Sequence, residues 1–158
     1  MIKITEIKTA ITRLLKKTED IDVFFTNISK TDSSVEESRI YKYFHVSLIP
    51  ISTALFGKYL RDRALFVDVA YINDKADSNT FYNWLETMDQ HFLPYVQIGE
   101  RSITIENSSF KIVDNVGHYT FTLKFRDVID YKEQGVLAED LNINFVKEDF
   151  YEFTTNFD

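Results

Sequence analysis

Hydrophobic and polar positions alternate most regularly between Tyr95 and Asp127. Ile103 and Ile105 are interleaved with Ser102, Thr104 and Glu106, the period of two that marks a half-buried strand. Phe110 and Ile112 flank Lys111 and lead to Asp114-Asn115. Beyond that pair, Tyr119, Phe121, Leu123 and Phe125 alternate with His118, Thr120, Thr122, Lys124 and Arg126. A two-residue turn at Asp114-Asn115 pairs Val113 with Val116, Ile112 with Gly117 and Phe110 with Tyr119. Both apolar sets then share one face, as a hairpin with a fixed core side requires. Asn tolerates positive φ, so the dipeptide suits a primed turn, though less well than Asp-Gly.

The period changes at the start of the chain. Ile4, Ile7, Ile11, Leu14 and Leu15 recur at helical spacing, with Thr5 as the expected N-cap and Lys16-Lys17 complementing the dipole at the far end. Ile21 to Ile28 reads as a first strand, and the Ser-rich stretch from Ser29 to Ser38 as a loop. Tyr41 to Ile49 reads as a strand with Phe44, Val46 and Leu48 on one face, ended by Pro50. Ile51 to Gly57 is then a connection. Lys58 to Ile72 is the longest strand predicted. Its second half is apolar on both faces, which predicts a central position covered from both sides. A second helix is expected over Ser78 to Phe92, with Phe81, Leu85, Met88 and Phe92 on one stripe, Trp84 beside it and Pro94 beyond its end. The 95–127 ribbon completes the sheet.

This order predicts an α+β fold: an antiparallel-rich mixed sheet with two main helices packed on one side. Residues 1–134 form one domain, and 135–158 a C-terminal arm. From Glu139 onward the arm carries Glu139, Asp140, Glu148, Asp149, Glu152 and Asp158 against the single base Lys147. Leu141, Ile143, Phe145, Phe150, Tyr151, Phe153 and Phe157 are interleaved with them. Three fates stay open for such a segment: lying on its own domain, docking on a neighbouring subunit, or disorder.

Composition narrows the function. The 14 Phe and 9 Tyr exceed what a core of this size readily buries, so some rings are expected in intermolecular contacts. A net charge of −7 argues against sequence-independent nucleic-acid binding, which needs clustered Lys and Arg to neutralise phosphates. The chain has no cysteine, which removes thiol catalysis, disulfides and zinc-thiolate sites. No apolar run approaches ~18 residues and the N-terminal stretch is too polar for a signal peptide. The expectation is a protein that is made in the cytoplasm and stays soluble, with no membrane partner.

The search for chemistry returns little. His45, His91 and His118 have no second His or carboxylate at metal-ligand spacing on the same element, so no metal is expected. Glycines 57, 99, 117 and 135 are too scattered for a phosphate-cradling loop, and no Gly-x-Ser-x-Gly elbow occurs. Neither catalytic residues nor a cofactor are expected. Asp68, set among Phe66, Val67, Val69 and Ala70, needs a polar partner or a solvated groove. Lys58, Arg61 and Arg63 place cations at one end of the long strand, suited to an acidic surface or to solvent. With Phe145, Phe150, Tyr151 and Phe153 of the arm, they form the candidate interface.

Several stretches together resemble the small tail terminator family of bacteriophages and phage-tail-like particles of Gram-positive bacteria. They are ITEIKTAITRLLKK, YFHVSLIPIS, LRDRALFVDVAYI, FYNWLETMDQHF and SFKIVDNVGHYTFTLKFRD, spanning about residues 1 to 133. The resemblance implies a structural protein of the virion. Such a protein assembles as a ring, typically a hexamer, at the head-proximal end of the tail, stops polymerisation of tube and sheath, and meets the head-side connector. It implies no catalytic residue. The alternatives are another head–tail connector or neck protein and, from a different class, a small-molecule-binding α+β domain. Heterologous contacts that close into a ring would account for surplus aromatics and for a basic strand end beside an acidic arm.

Overall fold

The computed structural model describes residues 1–25 and 42–129. Helix α1 (Ile4–Thr18) turns Ile7, Ala10, Ile11 and Leu15 into the core, the helical period expected from the sequence. Its N-cap is Lys3, and the Glu6 carboxylate accepts the Lys3 N–H at 2.7 Å. Thr5 therefore lies inside the first turn instead of capping it, and its carbonyl accepts the Thr9 hydroxyl at 3.0 Å. A carboxylate reaching back from N3 takes over the satisfaction of an orphan backbone donor.

Strand β1 (Val23–Phe24) runs parallel to β2 (Lys42–Phe56) at Phe44 and His45. The rest of the expected first strand and the Ser-rich loop lie outside the described residues. Strand β2 does not stop at Pro50. It continues to Phe56, with the register shifting between Pro50 and Ser52, so that Ile51 is the extra residue of a bulge. Proline is tolerated at a bulge, and on a strand whose far side carries no described partner at that point. The expected connection of residues 51–57 is thus a strand, and Gly57, at φ 71°, makes the turn into β3 (Leu60–Asn73).

Strand β3 pairs antiparallel with β2 along one side and with β7 (Val116–Val128) along the other, from Leu60↔Val128 to Ile72↔Val116. Helix α2 (Ser78–Phe92) follows β3 with the predicted bounds. Asp77 caps it, accepting the Thr80 N–H at 2.8 Å and the Thr80 hydroxyl at 2.6 Å. Strands β4 (Tyr95–Ile98) and β5 (Arg101–Thr104) form a separate two-stranded sheet, so only β6 (Ser108–Val113) and β7 complete the main one. The main sheet has the order β1-β2-β3-β7-β6.

The β6–β7 register is the one expected: Val113↔Val116, Ile112↔Gly117 and Phe110↔Tyr119. Asp114 and Asn115 have φ of 50° and 59°, the two positive values that a primed type I turn demands. Tyr119, Phe121, Leu123 and Phe125 are buried on the predicted face, whereas Ile112 runs past the covered area and is exposed.

Both helices pack on one face of the sheet. Phe44 and Val46 of β2, Leu65, Val67, Val69 and Tyr71 of β3, and Tyr119 to Phe125 of β7 form one cluster with Ile7, Ile11, Leu15, Phe81, Trp84, Met88 and Phe92. Ile98, Ile103 and Ile105 extend it. The opposite face of β3 carries Phe66, Asp68 and Ile72, which are only half-buried. β3 is central, as expected, and among the described residues the second cover over that face is not seen. Residues that alternate as Val67-Asp68-Val69 follow this difference in burial between the faces.

Candidate assembly surfaces

The turn end of the β2–β3 hairpin forms an arm that is exposed along its β2 side. Every residue of β2 from Ile49 to Phe56 is exposed, including Ile51 at 57% and Leu55 at 71%. Tyr59 at the turn and Val128 at the end of β7 add to the apolar area. The Ile129 N–H donates to the Tyr59 carbonyl at 2.8 Å, fastening the end of the described chain to the arm's tip. Soluble proteins rarely leave so many large apolar side chains together in water unless they meet a partner.

Pairing alternation separates the arm's two faces. On the face away from the helices, Arg126 forms a two-pronged pair with Asp62, at 2.7 and 2.9 Å, and stacks over the Phe56 ring at 3.6 Å. Hydrogen bonding to Arg126 holds the Asp62 carboxyl below its ordinary value. Small side chains at Ser52, Ala54 and Ala64 leave an open groove of about 520 Å³ there, rimmed by Lys124 and Arg126. The Asp62 carboxylate in its lining is already engaged by Arg126.

On the helix-side face, Asp127 is 2% exposed. Its oxygens accept the Ile2 N–H at 3.1 Å and the Val128 N–H at 3.0 Å. Arg61 and Arg63 approach it at 3.6 and 3.8 Å, and the terminal amine of Met1 at 3.7 Å. Arg63 also donates to the Ile2 carbonyl at 3.2 Å and lies over the Phe125 ring. The two arginines of the candidate interface are therefore drawn onto a buried carboxylate that sequence reading passed over. Lys58 sits in the turn over the Tyr59 ring. Phe145, Phe150, Tyr151 and Phe153 lie outside the described residues.

Asp68 finds its partner across the sheet: His118 Nδ1 lies 3.0 Å from its Oδ1. His45 and His118 both face Ala70 from neighbouring strands. Even so, among the described residues no group of three or more His, Cys, Asp and Glu is placed to hold a metal ion. No helix among them is long and apolar enough to cross a membrane.

Two polar contacts tie the helix side of the sheet together. The Tyr119 hydroxyl donates to Asp89 at 2.7 Å, and burial pushes its phenol up. The Tyr71 hydroxyl donates to Glu19 at 2.9 Å, and burial raises that phenol as well. Lys42 bonds the same Glu19 carboxylate, which raises the Lys42 ammonium. These are structural bonds, each donor matched to an acceptor.

Sequence reading missed the apolar arm because it ended β2 at Pro50. The available signal was Ile51-Ser52-Thr53, of good strand propensity, followed by Gly57 as a turn residue. The second exposed apolar group lies at the opposite edge of the sheet. There Ile112 and Val113 of β6 are 37% and 42% exposed, and Tyr82 of α2 approaches the Phe110 ring edge-on at 6.3 Å.

A comparison with curated proteins finds no match. A family model described as phage tail terminator protein matches residues 6–135, which take in nearly all the described fold. With that match over most of its length, the chain belongs to the phage tail terminator family and is a structural component of phage tails.

Proposed function

We propose that this protein caps the head-proximal end of a phage tail. Copies close into a ring, with six as the expected number, and the ring halts addition of further tube subunits. Its outer surface meets the head-side connector and, in a contractile tail, the last sheath ring. The family match over residues 6–135 carries this reading. The exposed apolar residues on two separate edges support it, because a ring needs two different faces on every subunit. Lys58 and the acidic, aromatic segment 135–158, with Phe145, Phe150, Tyr151 and Phe153, are the further candidates for subunit or sheath contact.

Electron microscopy of particles made without the protein tests the reading. Tails of uncontrolled, excessive length are the expected result. Tails of normal length that fail to join capsids would overturn it in favour of a connector.

A further inference from the structure

The main sheet ends in two strands whose outer edges carry no described partner. One edge is β2 from Ile49 to Phe56, since β1 reaches only Phe44 and His45. The other is β6, the last strand in the order. Each edge bears exposed large apolar side chains: Ile49, Ile51 and Leu55 on β2, Ile112 and Val113 on β6. The two lie on opposite sides of the sheet and toward opposite ends. The β2 group is near the turn at Gly57, whereas the β6 group is beside the turn at Asp114-Asn115, and Leu60↔Val128 and Ile72↔Val116 mark these as the two ends of β3.

We infer that the β2 edge of one copy receives the β6 edge of a second copy, so that neighbouring sheets join through main-chain hydrogen bonds. The occupant is a second copy because one chain carries both halves of the contact. Backbone donors and acceptors without a partner among the described residues face one another, and apolar side chains meet apolar side chains. An edge that is both apolar and without a described partner is a template for strand addition. Charges, prolines, bulges and short strands blunt such edges. On β2 the proline and the bulge are confined to Pro50 and Ile51, leaving a regular stretch from Ser52 to Phe56. Residues 49–56 hold no charge at all. Joining unlike edges is heterologous, so every copy keeps one edge open for the next until the circle closes. An edge pairing with its own twin would stop at two copies. The inference rests on the ring reading and gives it a contact.

The absence of cysteine makes the test clean. In the full chain, Ala54→Cys on β2 and Lys111→Cys on β6, which oppose Asp62 and His118 on the same face of the sheet, are introduced together and the protein is oxidised at high concentration. Within one molecule these sites are on opposite edges, so a disulfide must link copies. A ladder of linked species ending in a closed ring is expected, and exclusively monomer, or dimers that never extend, would overturn the inference.

Two charged variants provide the complementary measurement: Ile51→Asp with Leu55→Asp, and Ile112→Asp with Val113→Asp. All four positions are exposed, so unfolding temperatures should stay within a few degrees of the parent. Each variant alone should be monomeric, whereas an equimolar mixture should form a one-to-one dimer through the edge each retains. A mixture that stays monomeric, or a β6 variant that assembles normally, overturns the contact. A chain ending at residue 135 should still form the disulfide ladder. Loss of the ladder there would assign the β2 edge to the C-terminal segment instead. If the charged variants still limit tail length in particles, the edge contact fails while the capping reading survives. Normal tails without the protein would remove the capping reading itself.

Discussion

Asp127 is the residue on which the turn end of the arm depends. Its carboxylate is nearly inaccessible and collects a backbone N–H from Ile2, another from Val128, and the charge of Arg61 and Arg63. A buried carboxylate is tolerable only when its oxygens are this fully engaged. Removing it strands the donors gathered around it. Asp127→Ala should lower stability by about 1–3 kcal/mol, the usual cost of leaving a buried polar group unsatisfied. Asp127→Asn retains an acceptor and should recover part of the loss. Urea unfolding of the three proteins checks this, and equal midpoints would show that the cluster contributes nothing. Nothing local in the sequence announces the cluster, since Ile2 and Asp127 are separated by 125 positions. A basic strand end can be read from Arg61 and Arg63, but the acid that turns them inward cannot.

At the scale of elements, the clearest case is the seat of α2 on β7. Gly117 stands where Phe81 and Trp84 come down on the strand. A methyl group there would lie 2.8 Å from Phe81 Cδ1 and 3.2 Å from Trp84 Cζ3. Those ring atoms belong to buried side chains packed on Phe44, Tyr71 and Tyr119, so they have little freedom to move aside. Gly117→Ala should destabilise by about 1–3 kcal/mol, in the range of core overpacking. An unchanged thermal midpoint would show that α2 shifts freely. Elements with short-range determinants were the legible ones. The α2 stripe and its bounds follow from a 3.6 period with Asp77 before it and Pro94 after it. The β6–β7 register follows from parity about Asp114-Asn115. Misread elements depended on neighbours. Pro50 ends a strand only if its N–H is needed, and that depends on which strand lies beside β2.

The molecule as a whole carries more acid than base, yet its exposed carboxylates are not idle. Asp62 is held below its ordinary value by Arg126, Asp77 by the Thr80 hydroxyl and N–H, and Glu106 by Lys124. A carboxyl whose folded value is depressed binds its proton more weakly folded than unfolded. Its contribution is complete above the unfolded value and disappears as pH falls through the folded one. For Asp62 and Asp77 the loss therefore begins near the ordinary 3.8, and for Glu106 near 4.5. The thermal midpoint should hold through mildly acidic buffer and drop below about pH 4. In Asp77→Asn, which keeps a capping acceptor without a titratable group, the drop should be shallower. Identical acid profiles for parent and variant would remove Asp77 from the account. The same scale limits what sequence conveys about function. The family likeness is spread over many short phrases, whereas the apolar arm emerges only once β2 and β3 are paired along their length.

Trp84, the single indole in the chain, is 6% exposed and surrounded by Phe44, Tyr71, Phe110 and Tyr119. It therefore serves as a built-in fluorophore for the seat of α2 on the sheet. Loss of that seat admits water to the ring and shifts its emission to the red. The exposed stretch of β2 and the turn end of β6 contain no second tryptophan to confuse the signal. Emission colour thus follows unfolding, while light scattering on the same sample follows mass.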